Sequence, residues 1–271
     1  MKPYPHSSRT IAFAFAFVGI AALAHGTEFN GDEIVKHCYY KYGGEDQRSH
    51  LVIVITDKNG KGAKSEYLRL WKNYNGKDGI VDKVMLFAES PLDIRGVNFM
   101  RWGYTSKSGK QPDQWVYMPE MNMVRRISQR DPKNMDWGYT DEDLRIRDLD
   151  EDEHRFKEIA HEEGEDFYVV ESIPRKESAY SKRITRFIKT ADWEDCAPRQ
   201  VDYYDKSGNL LKQEFITWNR LKGAWAWDTA VMYNVRDNTS VTYQMQNTEV
   251  NVGLPDHIFN ERQLRRGYPE P

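Results

Sequence analysis

The feature that most constrains this chain is a long succession of short runs in which apolar and polar residues alternate, separated by turn residues. LVIVITD at 51–57 and SEYLRLW at 65–71 flank KNGKG, whose Asn59-Gly60 pair favours a tight hairpin. VDKVMLFAE at 81–89 and VNFMRWGY at 97–104 follow, then 114–118, 123–128, 154–161, 166–173, 182–190, 199–205, 210–218, 226–236 and 240–250. Eleven to thirteen strands joined by short turns predict an antiparallel meander with no βαβ rhythm. Sheets of that size curl into a barrel or pack as two layers.

Two stretches break the pattern. Residues 31–42 read as one helix, with Asn30 as cap, Asp32 and Glu33 in the first turn, Ile34, Cys38 and Tyr42 on one face, and Gly43-Gly44 as terminator. Residues 129–152 have no strand pattern, and an irregular insertion of that length is either a functional lid or a disordered loop.

The first 24 residues have the layout of a cleaved secretory signal: Lys2 and Arg9, an uncharged run from Ile11 to Leu23, then Ala22-Leu23-Ala24. The run is shorter than the roughly 20 residues of a membrane span. Residues 25–271 are then expected to form one domain, exported to the periplasm, without a cysteine placed for lipid anchoring. Removing the signal leaves 37 basic and 42 acidic residues, a net charge of −5, which gives no support to nucleic-acid binding. Export permits a Cys38–Cys196 disulfide, and sequence leaves that pairing open.

No nucleophile elbow, zinc-protease motif, P-loop or dinucleotide fingerprint is present. The acidic run 148–154 fails as a calcium loop, because Glu153 stands where glycine is needed and Ile159 where glutamate is needed; it reads as a solvated acidic face. His154 and His161, seven residues apart, are expected on opposite strand faces. No catalytic residue, metal site or cofactor is expected.

QWVYMPEMNMVRRI at 114–127 carries the most information. Alternation puts Trp115 and Tyr117 on one side of a strand and Val116 and Met118 on the other. In the next strand Met123, Arg125 and Ile127 share one side, Val124 and Arg126 the other. Methionine suits surfaces that bind varied apolar partners, and arginine holds phosphate or carboxylate with a planar fork. An amphiphile with an anionic head fits that pairing; core-filling methionines and surface arginines are the plainer alternative.

Residues 113–144, DQWVYMPEMNMVRRISQRDPKNMDWGYTDEDL, resemble the signature segment of the outer-membrane lipoprotein-sorting (LolA-like) family. That segment is a Trp-x-Tyr-x-Pro strand end, an Arg-Arg-Ile strand and a loop closing on Asp-Leu. Asp32 to Val35 resemble the family's opening helix, Pro91 to Phe99 the segment before its signature strand, and Asn251 to Phe259 its ending. The loop departs from the family pattern, with Trp137 and Tyr139 where small polar residues are usual.

The resemblance implies a mainly β fold: an incomplete antiparallel β-barrel of about 11 strands wrapped over a few short helices that form a lid. It implies a periplasmic carrier that takes a lipid, lipoprotein acyl chains or another amphiphile into an apolar cavity. Trp115, Tyr117, Met118, Met121 and Met123 are the expected lining or rim, Arg125 or Arg126 the contact to a polar head, and Trp137 and Tyr139 the lid residues over a cover formed by 129–147 and the first helix. Expected partners are lipid or lipidated cargo, a membrane touched transiently and an inner-membrane exporter of the resistance-nodulation-division type, with the carrier itself a monomer. An envelope adaptor binding through a sheet edge, and a periplasmic enzyme on the same scaffold, are the alternatives.

Overall fold

The computed structural model describes residues 29–127, 140–144 and 146–268; the candidate signal lies outside them. Thirteen strands are present among these residues: β1 Asp46–Thr56, β2 Gly62–Asn73, β3 Ile80–Ser90, β4 Asn98–Tyr104, β5 Asp113–Met118, β6 Met123–Ile127, β7 Asp152–Glu162, β8 Glu165–Pro174, β9 Lys182–Ile188, β10 Pro198–Tyr204, β11 Leu210–Leu221, β12 Ala224–Asn234 and β13 Thr239–Val250. Each overlaps a run read from sequence, because the two-residue alternation survives in all of them. Three short α-helices accompany them among the described residues: α1 Gly31–Cys38, α2 Asp141–Leu144 and α3 Glu261–Arg266.

All thirteen strands form one open antiparallel sheet in the order β6-β5-β4-β3-β2-β1-β13-β12-β11-β10-β9-β8-β7. Every pairing is between sequence neighbours except β1 with β13, which joins the two halves. The free edges are β6 and β7, and one connection, 128–151, runs between them. The sheet is thus an incomplete barrel, open between those two edges.

Pairing registers give the sheet two continuous faces. Val170, Thr185, Val201, Glu214, Met232, Val241 and Ile55 lie side by side from β8 to β1. The same face continues through Leu51, Tyr67 and Ala88, then from Leu86 to Phe99, Val116 and Arg125. This face, which carries α1, is called the inner face. On the outer face lie Leu70, Met85, Met100, Trp115 and Arg126.

α1 packs Ile34, Val35 and Cys38 against Tyr168, Val170 and Phe187 on the inner face of β8 and β9. The Asn30 side chain accepts from the Asp32 N–H at 2.9 Å, the expected cap. Approach to β7 is close: a Cβ on Gly31 would come within 2.6 Å of the His154 carbonyl oxygen. The helix stops at Cys38, not at residue 42. The Tyr42 carbonyl instead accepts from the Trp225 N–H at 2.8 Å, so the chain is drawn out extended beside the start of β12. Cys38 and Cys196 are joined, with Cα atoms 4.9 Å apart, which ties α1 to the β9–β10 connection.

After β13 the chain crosses to the outer face. The buried Asp46 carboxylate accepts from the backbone N–H groups of Val252 at 2.7 Å and Leu254 at 2.8 Å, fixing the crossing. Leu254, Ile258, Phe259 and Leu264 then bury against Leu70, Met85, Phe87 and Met100.

Candidate functional site

The middle of the inner face is apolar. Leu51, Ile53, Tyr67, Leu86, Ala88, Ala230, Val241 and Tyr243 form one buried cluster drawn only from strands β1–β3, β12 and β13. Its partly buried neighbours are Val84, Ile94, Phe99, Trp227 and Met245, none of them helical. Among the described residues, α1 sits farther round the sheet and α3 lies on the other face. Alternate residues of each strand build this cluster; in β2–β5 the intervening, outer-face residues Leu70, Met85, Met100 and Trp115 are apolar as well and meet the C-terminal segment.

Polar side chains border the cluster. At one end Arg101 and the Trp71 indole N–H both donate to Asp82, at 3.0 and 3.2 Å. On the β7–β12 side a network binds the segment 140–152 into the inner face. Asp143 accepts from the Tyr180 hydroxyl at 2.7 Å and pairs with Lys212, both ion partners being buried. Glu142 accepts from the Ala179 N–H at 2.8 Å and from Arg147 at 3.2 Å. Arg147 in turn grips Asp152 through two nitrogens, at 2.9 and 2.7 Å, and Arg183 pairs with the same carboxylate.

Burial of Asp152 alone would raise its pKa, but hydrogen bonds from Arg147 and the charges of Arg183 and Arg147 hold it below the usual carboxylate range. Burial, then the Asp143 charge, pushes the Tyr180 hydroxyl up, so it stays a donor at neutral pH. The Tyr203 hydroxyl, donating to Glu214 at 2.8 Å, is pushed up by burial and by Glu214. The acidic run 148–154 is therefore not a solvated face. Asp152 is 3% exposed, and Asp148 and Glu151 cap a short turn that leads into β7. Likewise His154 and His161 do not point to opposite faces. A β-bulge between Phe156 and Glu158 brings His161 to the His154 side, where it stands exposed by Asp166 while His154 donates to or accepts from Ser172.

The residues singled out from the sequence fall on both faces. Met118 and Met123 are directly paired on the inner face, with Arg125 beside them at the open edge. Trp115, Tyr117 and Arg126 are on the outer face. Trp115 stacks edge-on with Trp102 at 5.3 Å, and Arg126 lies over the Trp115 ring and pairs with Asp113. Met121 is on the exposed turn between β5 and β6. One register runs unbroken through that turn, so Trp115 and Met118 cannot line the same surface. Trp137 and Tyr139 lie outside the described residues.

A second feature has no counterpart in the sequence reading. Between the C-terminal segment and the outer face is a cleft of about 280 Å³. Leu68, Phe87, Tyr117 and Tyr268 supply its apolar lining, and Arg95, Arg265 and Arg266 its cations. The only sequence signal for it is the Arg-Arg-Gly at the end of α3.

The model of a family described as "Uncharacterized protein" matches residues 81–266, more than half of the chain. The chain belongs to that family. Among solved structures it is similar to a DUF1329 family protein from Desulfovibrio piger, with 25% identity, 82% of this chain and 92% of that one covered, and a TM-score of 0.71. A putative outer membrane lipoprotein-sorting protein domain from Vibrio parahaemolyticus matches with 23% identity over 87% and 98% of the two chains, TM-score 0.72. The LolA superfamily protein NE2245 from Nitrosomonas europaea is 16% identical over 87% and 99%, TM-score 0.62. Among curated proteins nothing matches this chain. The fold is that of the LolA superfamily, as the sequence resemblance implied, and the family's incomplete barrel is here built from thirteen strands.

Proposed function

We propose that this protein is a periplasmic carrier that holds the acyl part of a lipid, a lipidated protein or a similar amphiphile against the inner face of its incomplete barrel and moves it between envelope membranes. The observation that carries the reading is the strand-only apolar cluster centred on Leu51, Ile53, Leu86 and Val241, against which neither α1 nor α3 packs. The superfamily fold, shared with a putative lipoprotein-sorting protein, supports it.

The energetics agree. An acyl chain of some 14 carbons gives up about 10 kcal/mol on leaving a bilayer, at about 0.8 kcal/mol per CH₂. Only a dry apolar environment offsets that, and the buried side chains of the inner-face cluster are proposed to supply one. Met118 and Met123 extend it to the open edge with soft, adaptable side chains, and Arg125 is the cation on that edge nearest a bound head group. Met121 is proposed as a rim contact. Trp115, Tyr117 and Arg126 face the other way and are proposed to act only outside this surface.

Release requires a cover that moves, and residues 140–144, held to the inner face through Glu142 and Asp143, are proposed as part of it. The activity proposed is carriage and not catalysis, by a monomer that receives cargo from an inner-membrane exporter of the resistance-nodulation-division type. Photo-labelling with a diazirine-bearing fatty acid, followed by peptide mapping, tests the placement. Label on β3–β6 peptides at Leu86, Phe99, Val116, Met118 or Met123 is expected; label confined to outer-face residues would refute it.

A further inference from the structure

The outer-face cleft is lined by three arginines for which no ion pair is formed among the described residues. Arg95 lies on the β3–β4 connection and Arg265 and Arg266 end α3, some 170 residues later. The fold, not local sequence, makes them converge. Asn98, buried in β4, donates to the Leu264 carbonyl at 2.8 Å and anchors the last turn of α3 to the sheet. Arg265 donates to the Asn122 carbonyl at 2.9 Å, which sets its direction. Gly267, at φ +76°, then turns the chain so that Tyr268 reaches Phe87, with ring centroids 6.0 Å apart. One carboxylate, Glu89, also lines the cleft, and it faces His50 at 3.3 Å. The local balance is three cations to one anion, in a chain whose formal net charge is −3.

We propose that this cleft binds the phosphate head of an amphiphile, with the first few methylenes lying on Leu68, Phe87, Tyr117 and Tyr268. Guanidinium forks match phosphate oxygens two at a time, and three arginines lining one cleft with a single carboxylate leave a local excess of positive charge that a further anion would neutralise. The apolar lining distinguishes the site from a simple ion patch. A volume of about 280 Å³ is at the lower end of small-molecule sites, about 300–1,000 Å³, so the cleft takes a head and a short stem, not a whole lipid. It is on the opposite side of the sheet from the carriage surface and stands apart from the function proposed above. The phosphate has two sources, a dispersed amphiphile or the surface of an anionic membrane against which the protein docks.

The test uses the whole chain and the variants Arg95→Ala and Arg265→Ala/Arg266→Ala, whose fold is checked by thermal melting. In one arm calorimetry measures dodecyl phosphate, below its micelle concentration, against inorganic phosphate. In the other, flotation compares phosphatidylglycerol-containing vesicles with pure phosphatidylcholine ones. Saturable dodecyl phosphate binding that weakens about tenfold or more in the variants, as for loss of charge-assisted hydrogen bonds, supports the proposal with a dispersed ligand. Arginine-dependent flotation on the anionic vesicles alone supports it with a membrane as the source. Binding in neither arm, binding unchanged in the variants, or inorganic phosphate binding as tightly as dodecyl phosphate would overturn it.

Discussion

Opening the Cys38–Cys196 bridge is expected to cost as much stability as the largest single side-chain changes in the molecule. The bridge spans a sequence separation of 158 residues. Closing a loop of that size removes about 17 cal/mol/K from the unfolded chain, or about 5 kcal/mol at 25 °C, in the chain-entropy description. Removal of native disulfides costs about 2–5 kcal/mol in practice, so about 5 is the upper end. For a chain of this length that corresponds to a fall in Tm of about 10–20 °C, at about 2–4 °C per kcal/mol. The two sulfurs are fully buried among Ile34, Phe187 and Tyr168, so the double alanine variant also loses the packing of two buried atoms, and the reduced protein isolates the effect of the bridge.

The assay is urea unfolding of the oxidised protein, of the same protein in reductant, and of Cys38→Ala/Cys196→Ala. Both perturbed forms should unfold at lower urea and with a steeper slope, because an unbridged unfolded chain exposes more surface. A difference below about 0.5 kcal/mol, within the range of ordinary surface substitutions, would refute the reasoning. It would mean that the unfolded chain is already restrained between α1 and the β9–β10 connection.

Asp152→Asn should destabilise the protein by about 3–5 kcal/mol, the usual effect of breaking a buried ion pair, since Arg147 and Arg183 both lose their shared carboxylate; equilibrium unfolding at neutral pH reads it. The wild-type stability should also depend on acid at this site. The folded Asp152 pKa is lowered from an unfolded value of about 3.9, so its contribution is complete above that value and is lost as pH falls through the folded one. Melting curves across the acid range should therefore converge for wild type and Asp152→Asn only at the lowest pH.

The strands were legible because a two-residue period is local. So was the division of Trp115 and Tyr117 from Met118, which follows from alternation alone. Which of those two faces is inner was not legible, because it depends on α1 packing on β8 and on the C-terminal segment crossing to the other side at Asp46. The buried acids were missed for a related reason. Asp143 is neutralised by Lys212, and Asp152 by Arg183, partners far away in sequence whose approach only the assembled sheet brings about. His161 was misplaced by a single extra residue at the Phe156–Glu158 bulge. The outer cleft was invisible because its arginines come from opposite ends of the β-rich chain. The end of α1 was misread because the Tyr42 carbonyl meets the Trp225 N–H, a partner far away in sequence that draws the chain out beside β12.

The most direct test of the account is to purify the protein from its exporting host, extract it with organic solvent and analyse the extract by mass spectrometry. Carriage on the inner face predicts a stoichiometric acyl-bearing amphiphile that is absent when Leu86 and Val116 are replaced by glutamate in a folded variant. An extract free of amphiphile, together with no saturable uptake of a fluorescent fatty acid by the stripped protein, would contradict it.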